Sequence, residues 1–225
     1  MKEFLEVKFT GWTATPRLPF VLSGNAICMP TPSYSILLGV IGCCLGRIVE
    51  ANEVDIGFYY KYDTTENDLE TRHRLAFSGK LKPHAKGTDA YNREFHINPV
   101  LTIWINRTDW LEYFKYPIGT PSLGRSQDLL QIQSANIVQV QSIEKGMISG
   151  CMLPFSMDLK VGGQLIQIAE AYQENAEIGT GRTAINSQIF VSIPWDNNSA
   201  VECDSLYETD KEKEKDRRQF YLHTW

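Results

Sequence analysis

The chain opens on a strand pattern. Leu5, Val7 and Phe9 alternate with Glu6 and Lys8, the period of two that turns one face to a core and the other to water. Thr15-Pro16-Arg17-Leu18-Pro19 breaks regular structure, and no further element is predicted before Pro30. Pro32-Ser33 then starts a helix, because proline is tolerated in a first turn and a serine hydroxyl caps orphan amides. The pattern carries this helix from about Ser33 to Val49, apolar nearly all round, which predicts that both faces are covered. Strands follow at Asp55 to Tyr62, Val100 to Ile105 and Leu129 to Gln141, with a short helix from Thr108 to Lys115 for which Thr108 is the candidate cap. Phe77-Ser78-Gly79-Lys80 and Lys86-Gly87-Thr88-Asp89 carry turn chemistry. They mark the stretch from about Thr64 to Asn98 as a hairpin-like insertion.

Without that insertion the order is β-α-β-β-α-β, the order of a ferredoxin-like (RRM-like) body in an α+β protein. Residues 1–146 are expected to form it, with the insertion at about 64–98 as a projecting β-hairpin. Residues 147–225 are expected to form a β-rich C-terminal region packed on that body, with strands at Met147–Leu153, Gln164–Tyr172 and Ile185–Ile193. From Glu202 to Arg218, seven acidic residues mix with five basic ones, which reads as a solvated or flexible segment. Phe220, Tyr221 and Trp225 restore aromatic character at the end, so the tail is expected to dock back.

Composition narrows the classes. At 225 residues and 43% hydrophobic content the chain can bury a core, which excludes wholesale disorder. No apolar run reaches the length of a membrane span, and the N-terminus lacks the order of a signal peptide, so a cytoplasmic protein with no membrane partner is expected. The five cysteines are scattered without CxxC spacing and read as small buried thiols; no metal or cofactor is implied. A net charge of −5 argues against a nucleic-acid binder until its distribution is considered. Between Thr71 and Thr88 stand Arg72, Arg74, Lys80, Lys82 and Lys86, with His73 and His84, and no acidic residue. Such a run can bind a phosphate backbone in a salt-dependent way, and Phe77 and Tyr91 can stack on unpaired bases.

Two further motifs stand out. In Pro30-Thr31-Pro32-Ser33-Tyr34-Ser35-Ile36-Leu37-Leu38-Gly39-Val40-Ile41-Gly42-Cys43-Cys44-Leu45-Gly46-Arg47, glycines at 39, 42 and 46 share one helix face. Each costs about 1 kcal/mol of helix propensity, so the stripe implies close approach of another backbone, most simply a sheet. The helix start, with Thr31, Ser33 and Ser35 around free amides, suits an anion, although ordinary capping explains it more simply. In Pro121-Ser122-Leu123-Gly124-Arg125-Ser126-Gln127-Asp128, Arg125 can offer its forked donors to phosphate or spend them on Asp128.

Together these motifs resemble the Cas-five family of CRISPR-associated proteins, in the RAMP superfamily. The match rests on the glycine-striped helix and the Leu-Gly-Arg-Ser-Gln-Asp loop, with Thr15-Pro16-Arg17-Leu18-Pro19-Phe20 upstream, and runs from the first strand to about Gln133. The flavour is closest to type I-B Cascade. The resemblance implies a non-catalytic subunit that caps the 5′ handle of the crRNA. Its partners would be a Cas-seven backbone subunit, a Cas-eight large subunit and, through the complex, target DNA. It makes the insertion a thumb whose Lys80, Lys82, His84 and Lys86 face RNA, with Arg72 and Arg74 beside them. Arg17, Thr31, Ser33, Ser35, Arg125, Ser126 and Gln127 become a handle-gripping floor, and Arg47 matches a motif position at the opposite helix end. One branch of the family cuts precursor RNA without metal, and His84, Lys86 and Tyr91 make that chemistry conceivable here. A protein-only adaptor whose basic insertion meets an acidic partner is the alternative from another class.

Overall fold

The computed structural model describes residues 1–19, 24–156, 158–175, 181–210 and 217–225. Phe20 of the upstream motif, and residues 211–216 of the charged segment, lie outside them. β1 (Lys2–Gly11) leads to two short strands, β2 (Thr13–Ala14) and β3 (Asn25–Ala26), and then to α1 (Tyr34–Leu45). β4 (Ile56–Lys61), β5 (Thr64–Phe77), β6 (Leu81–Ile97) and β7 (Val100–Ile105) follow. A 3-10 turn at Thr108–Trp110 runs into α2 (Leu111–Lys115). The remainder is β8 (Leu130–Ile148), β9 (Cys151–Pro154), β10 (Gln164–Glu174), β11 (Arg182–Ile193), β12 (Ser199–Thr209) and β13 (Gln219–His223).

Six strands close a barrel in the order β1-β7-β4-β13-β12-β8, with antiparallel neighbours throughout. Leu5, Val7 and Phe9, with Ile56, Phe58 and Tyr60, form the main core together with α1, α2 and the sheet β10-β11-β9. The opposite face of the barrel strands buries an aromatic set: Phe4, Trp104, Tyr207 and Phe220. There Trp104 stacks on Phe220 at 4.4 Å. The chain is therefore mostly β-structure with few helices, an α+β protein rich in strands.

Several expectations are corrected. The boundary at residue 146 falls inside β8, a single 19-residue strand whose first half pairs with β1 and whose second half pairs with β12. Strand β12 occupies half of the segment read as solvated, with Leu206 and Thr209 fully buried. Its charged residues alternate with apolar ones that the barrel covers, and period-two alternation outweighs net polarity. The Met147–Leu153 strand is broken at Gly150, whose φ of 58° suits a turn, so Ile148 ends β8 and Cys151 opens β9. The cap at Thr108 is absent: Arg107 stands at the helix start and no side chain caps it.

Helix α1 begins as its sequence requires and ends earlier. Ser33 is the N-cap, its Oγ accepting from the Ile36 amide, and Gly46 closes the helix in the left-handed region at φ 68°. The glycine stripe does not pack on a sheet. A Cβ on Gly42 would meet the Arg47 carbonyl at 2.7 Å, a Cβ on Gly46 would meet Ile118, and Gly39 is exposed with none of the other described residues within 4 Å of a Cβ there. Gly42 and Gly46 serve the helix end and its loop, and Gly39 alone of the three is clear of the other described residues.

Candidate nucleic-acid interface

Strands β5 and β6 form a hairpin that leaves the body at Thr64 and returns at Ile97. A two-stranded ribbon is marginal alone in water. This one is anchored at its base, where β2 pairs antiparallel and β3 parallel with β6. Tyr91, Arg93 and His96 are buried there, and the ribbon beyond is exposed. Gly79, with φ 73°, turns the tip at Ser78–Lys80. The second turn expected at Lys86–Asp89 is a bulge instead. His73 pairs with Thr88 and Leu75 with Pro83, so extra residues of β6 around Gly87 (φ 66°) bend the ribbon without reversing it.

The acidic residues Glu66, Asp68 and Glu70 sit toward the base, and the outer half holds the basic run. Lys80, Lys82 and Lys86 are exposed. Arg72 lies over the Tyr91 ring at 4.0 Å. Arg74 is held by Asp89, which accepts from its Nε at 2.7 Å. His84 accepts the Lys86 amide at its Nδ1. Phe77 stands exposed beside the tip, whereas Tyr91 is buried under Arg72 and is not free to stack on a base. His84 and Lys86 lie in the bulge between Pro83 and Thr88, whereas Tyr91 pairs with Glu70 nearer the base.

At the foot of the hairpin a cleft of about 400 Å³ is lined by Arg17, Ser33, Ser35, Arg93, Arg125 and Tyr172, among others. It joins four of the expected residues, Arg17, Ser33, Ser35 and Arg125. Arg93 was not legible as one of them, because the run Asn92-Arg93-Glu94 is of mixed charge. Only the pairing of β6 with β3 and β5 carries it there. Its Nε donates to Glu70 at 2.6 Å, and its side chain is 8% exposed.

The Arg125 loop is built on one buried carboxylate. Asp128, fully buried, accepts from Thr13 Oγ1 at 2.7 Å, Thr15 Oγ1 at 2.6 Å, the Arg125 amide at 3.0 Å, and Arg125 Nε and Nη2 at 3.0 and 2.9 Å. Burial alone would push this carboxyl up, but the hydrogen bonds from Arg125, Thr15 and Thr13 outweigh it and hold it below its ordinary range. Gly124 permits the turn: its φ is 110°, and any Cβ would collide with Thr15. Arg125 thus spends one edge of its fork, Nε and Nη2, on Asp128 while lining the cleft. Ser126 and Gln127 are exposed on the same loop.

Two expected contacts leave the candidate surface. Thr31 is fully buried, its hydroxyl 2.8 Å from that of Ser192, so it fixes the helix entry to β11 and reaches no ligand. Thr31→Val is expected to cost about 1–3 kcal/mol, the penalty for stranding the buried Ser192 hydroxyl, in a urea titration, with RNA binding unchanged. Arg47, past the far end of α1, gives Nη1 and Nη2 to Glu53 at 2.9 and 2.7 Å and lies 5.6 Å from the Trp110 ring. Because that pair is exposed, Arg47→Ala is expected to cost only about 0.2–1 kcal/mol, again with no change in RNA binding. Both outcomes are read by parallel denaturation and binding titrations. Burial pushes the thiols of Cys28 and Cys44 up to about 12, so neither is a reactive thiolate.

No protein-family model matches the chain, and no curated protein matches it. Solved structures share its fold. It is similar, at 11% identity and a TM-score of 0.52, to a chain of a structure described as a CRISPR RNA-guided surveillance complex, covering 87% of this chain and 91% of that one. It is also similar to a CRISPR protein from Archaeoglobus fulgidus, at 8% identity and a TM-score of 0.51, over 99% of this chain and 100% of that one. No helix among the described residues is long and apolar enough to cross a membrane.

Proposed function

We propose that this chain is a non-catalytic subunit of a CRISPR surveillance complex of type I-B flavour, capping the 5′ handle of the crRNA. The observation that carries the reading is the hairpin: an anchored base, and a projecting outer half with basic residues and no acidic residue from Thr71 to Thr88. Its lysines contact the phosphate backbone, and the cleft at its foot receives the strand against Arg17, Arg93 and Arg125. The strand order β8-β1-β7-β4 fits a ferredoxin-like reading of the body, with β12 and β13 added to close it. The fold shared with the surveillance-complex chain supports the same assignment, as does the Cas-five resemblance. Cas-seven and Cas-eight subunits are the partners this places beside it, and target DNA is met through the assembly.

The test is a binding titration of the purified chain with handle-bearing repeat RNA across a salt series. Each phosphate contact is expected to add about 0.7 to the slope of log affinity against log salt. A flat salt response, or equal affinity for an acidic protein, would leave the adaptor reading instead. Incubation with the same RNA in chelator is expected to leave it uncut.

A further inference from the structure

Helix α1 has a second working end. Its start, at Ser33, lines the arginine cleft, and its end lies 12 residues on, about 18 Å away. Around that end the surface is apolar: Ile48, Tyr113, Tyr116 and Ile118 are all exposed, Tyr116 at 77% and Ile118 at 67%. Two grooves flank this patch and share Ile118 and Gly119 as a common wall. One, of about 510 Å³, runs along the glycine face of α1 past Gly39 and Gly42 to Tyr172. The other, of about 530 Å³, passes Tyr116 toward β8. Scattered exposed apolar residues are ordinary, but a contiguous set with two grooves marks an interaction surface.

The charges around it say what kind. Arg47 is forked onto Glu53 and also donates to the Ile48 carbonyl. Arg107 is forked onto Asp109, Lys115 holds Glu112 and Arg182 pairs with Glu174. Each of these cations is matched by a carboxylate of the same chain, so the rim is neutral. Among the described residues a nucleic-acid backbone finds no unspent positive charge here, unlike at the outer hairpin, and an apolar protein segment meets no cation it must desolvate unpaired. Gly39 adds a second sign. A mid-helix glycine costs about 1 kcal/mol relative to alanine, and none of the described residues lies within 4 Å of where its Cβ would be.

We propose that this neutral apolar patch docks an uncharged, apolar segment of another protein subunit, laid along α1 against Gly39 with Tyr116 and Ile118 as anchors. Helix α1 then separates the RNA face at its start from a protein face at its end. The inference does not depend on the RNA reading.

The test uses the tagged full chain co-expressed with the subunits encoded beside it. Subunit composition is read by native mass spectrometry, and folding by thermal melting. Tyr116→Asp changes an exposed side chain, and Gly39→Leu fills open space, so both are expected to melt like the parent. Each is expected to weaken retention of one protein subunit by about 30-fold, the loss typical of a hot-spot residue, with RNA affinity of the isolated chain unchanged. Loss of RNA binding by the folded variants overturns the proposal in favour of a nucleic-acid surface. A variant that instead splits a self-dimer assigns the patch to a second copy and overturns it too. So does unchanged subunit composition, or a parent chain that retains no protein subunit.

Discussion

Replacing Asp128 with alanine is expected to lower stability by about 3–5 kcal/mol, the cost of stranding one partner of a buried ion pair. For a chain of 225 residues, that is a fall in melting temperature of roughly 6–20 °C. The size follows from what the carboxylate holds: two threonine hydroxyls, the Arg125 amide and two guanidinium donors, all meeting one fully buried side chain. Alanine leaves Thr13 and Thr15 without an acceptor and the Arg125 loop without its anchor, so RNA affinity falls as well. Asp128→Asn separates charge from shape, because it keeps an acceptor oxygen and loses the pairing with Arg125.

The sign of the pH dependence follows from the depressed carboxyl. A group whose folded pKa lies below its unfolded value near about 3.9 stabilises fully above that value and loses the contribution as pH falls through the folded pKa. The advantage of the parent over Asp128→Asn is therefore expected to be constant near neutrality and to shrink on acidification below pH about 4. His96 titrates in the window above. Burial pushes its pKa down to about 4, and it lies against Tyr60, with Nδ1 2.8 Å from the hydroxyl, and stacks on Tyr62. Because the unfolded imidazole binds its proton first, both proteins lose stability together as pH falls from about 6.5. The difference between them isolates Asp128, and denaturant midpoints at stepped pH measure it. A difference that stays constant down to pH 3 would show that the carboxylate is not held ionised by its partners.

The second large effect belongs to the hairpin. Lys80→Glu, Lys82→Glu and Lys86→Glu together are expected to weaken RNA binding by about two to three orders of magnitude at moderate salt and to reduce the salt slope by about 2, for three lost phosphate contacts. All three side chains are exposed, and surface substitutions stay within about 0.5 kcal/mol, so melting is expected to be unchanged. Parallel RNA titrations and melting curves read both. Unaltered affinity in the folded triple variant would remove the RNA reading of the hairpin. The contrast with Asp128 is one of mechanism, since that residue acts by building a loop and the lysines act by their charge.

Much of the local structure was legible. Ser33 caps α1 because a hydroxyl at that position meets free amides, and Gly79 turns the hairpin because it alone tolerates positive φ there cheaply. The basic outer half is a fact of composition and needs no fold. Arg125 spends its fork on Asp128, and a spacing of three positions in sequence is enough to suggest it. What could not be read was the depth of Asp128. Its burial depends on Thr13 and Thr15, more than a hundred residues earlier.

The helix motif from Pro30 to Arg47 divides along the same line. Its sequence determined a capped, glycine-striped helix, because capping and propensity act over a few residues. Tertiary structure decided what the stripe is for. Ile118, the Arg47 carbonyl and the open space beside Gly39 arrive from the loop, the helix return and the position of β10. In the same way the sequence determined a basic hairpin, and only long-range pairing set Arg93 beside Arg125 and closed the barrel with β12 and β13. Local chemistry is encoded by neighbours in the chain. Burial and convergence are set by strand registers that pair residues as distant as Ile56 and His223, which no local pattern specifies.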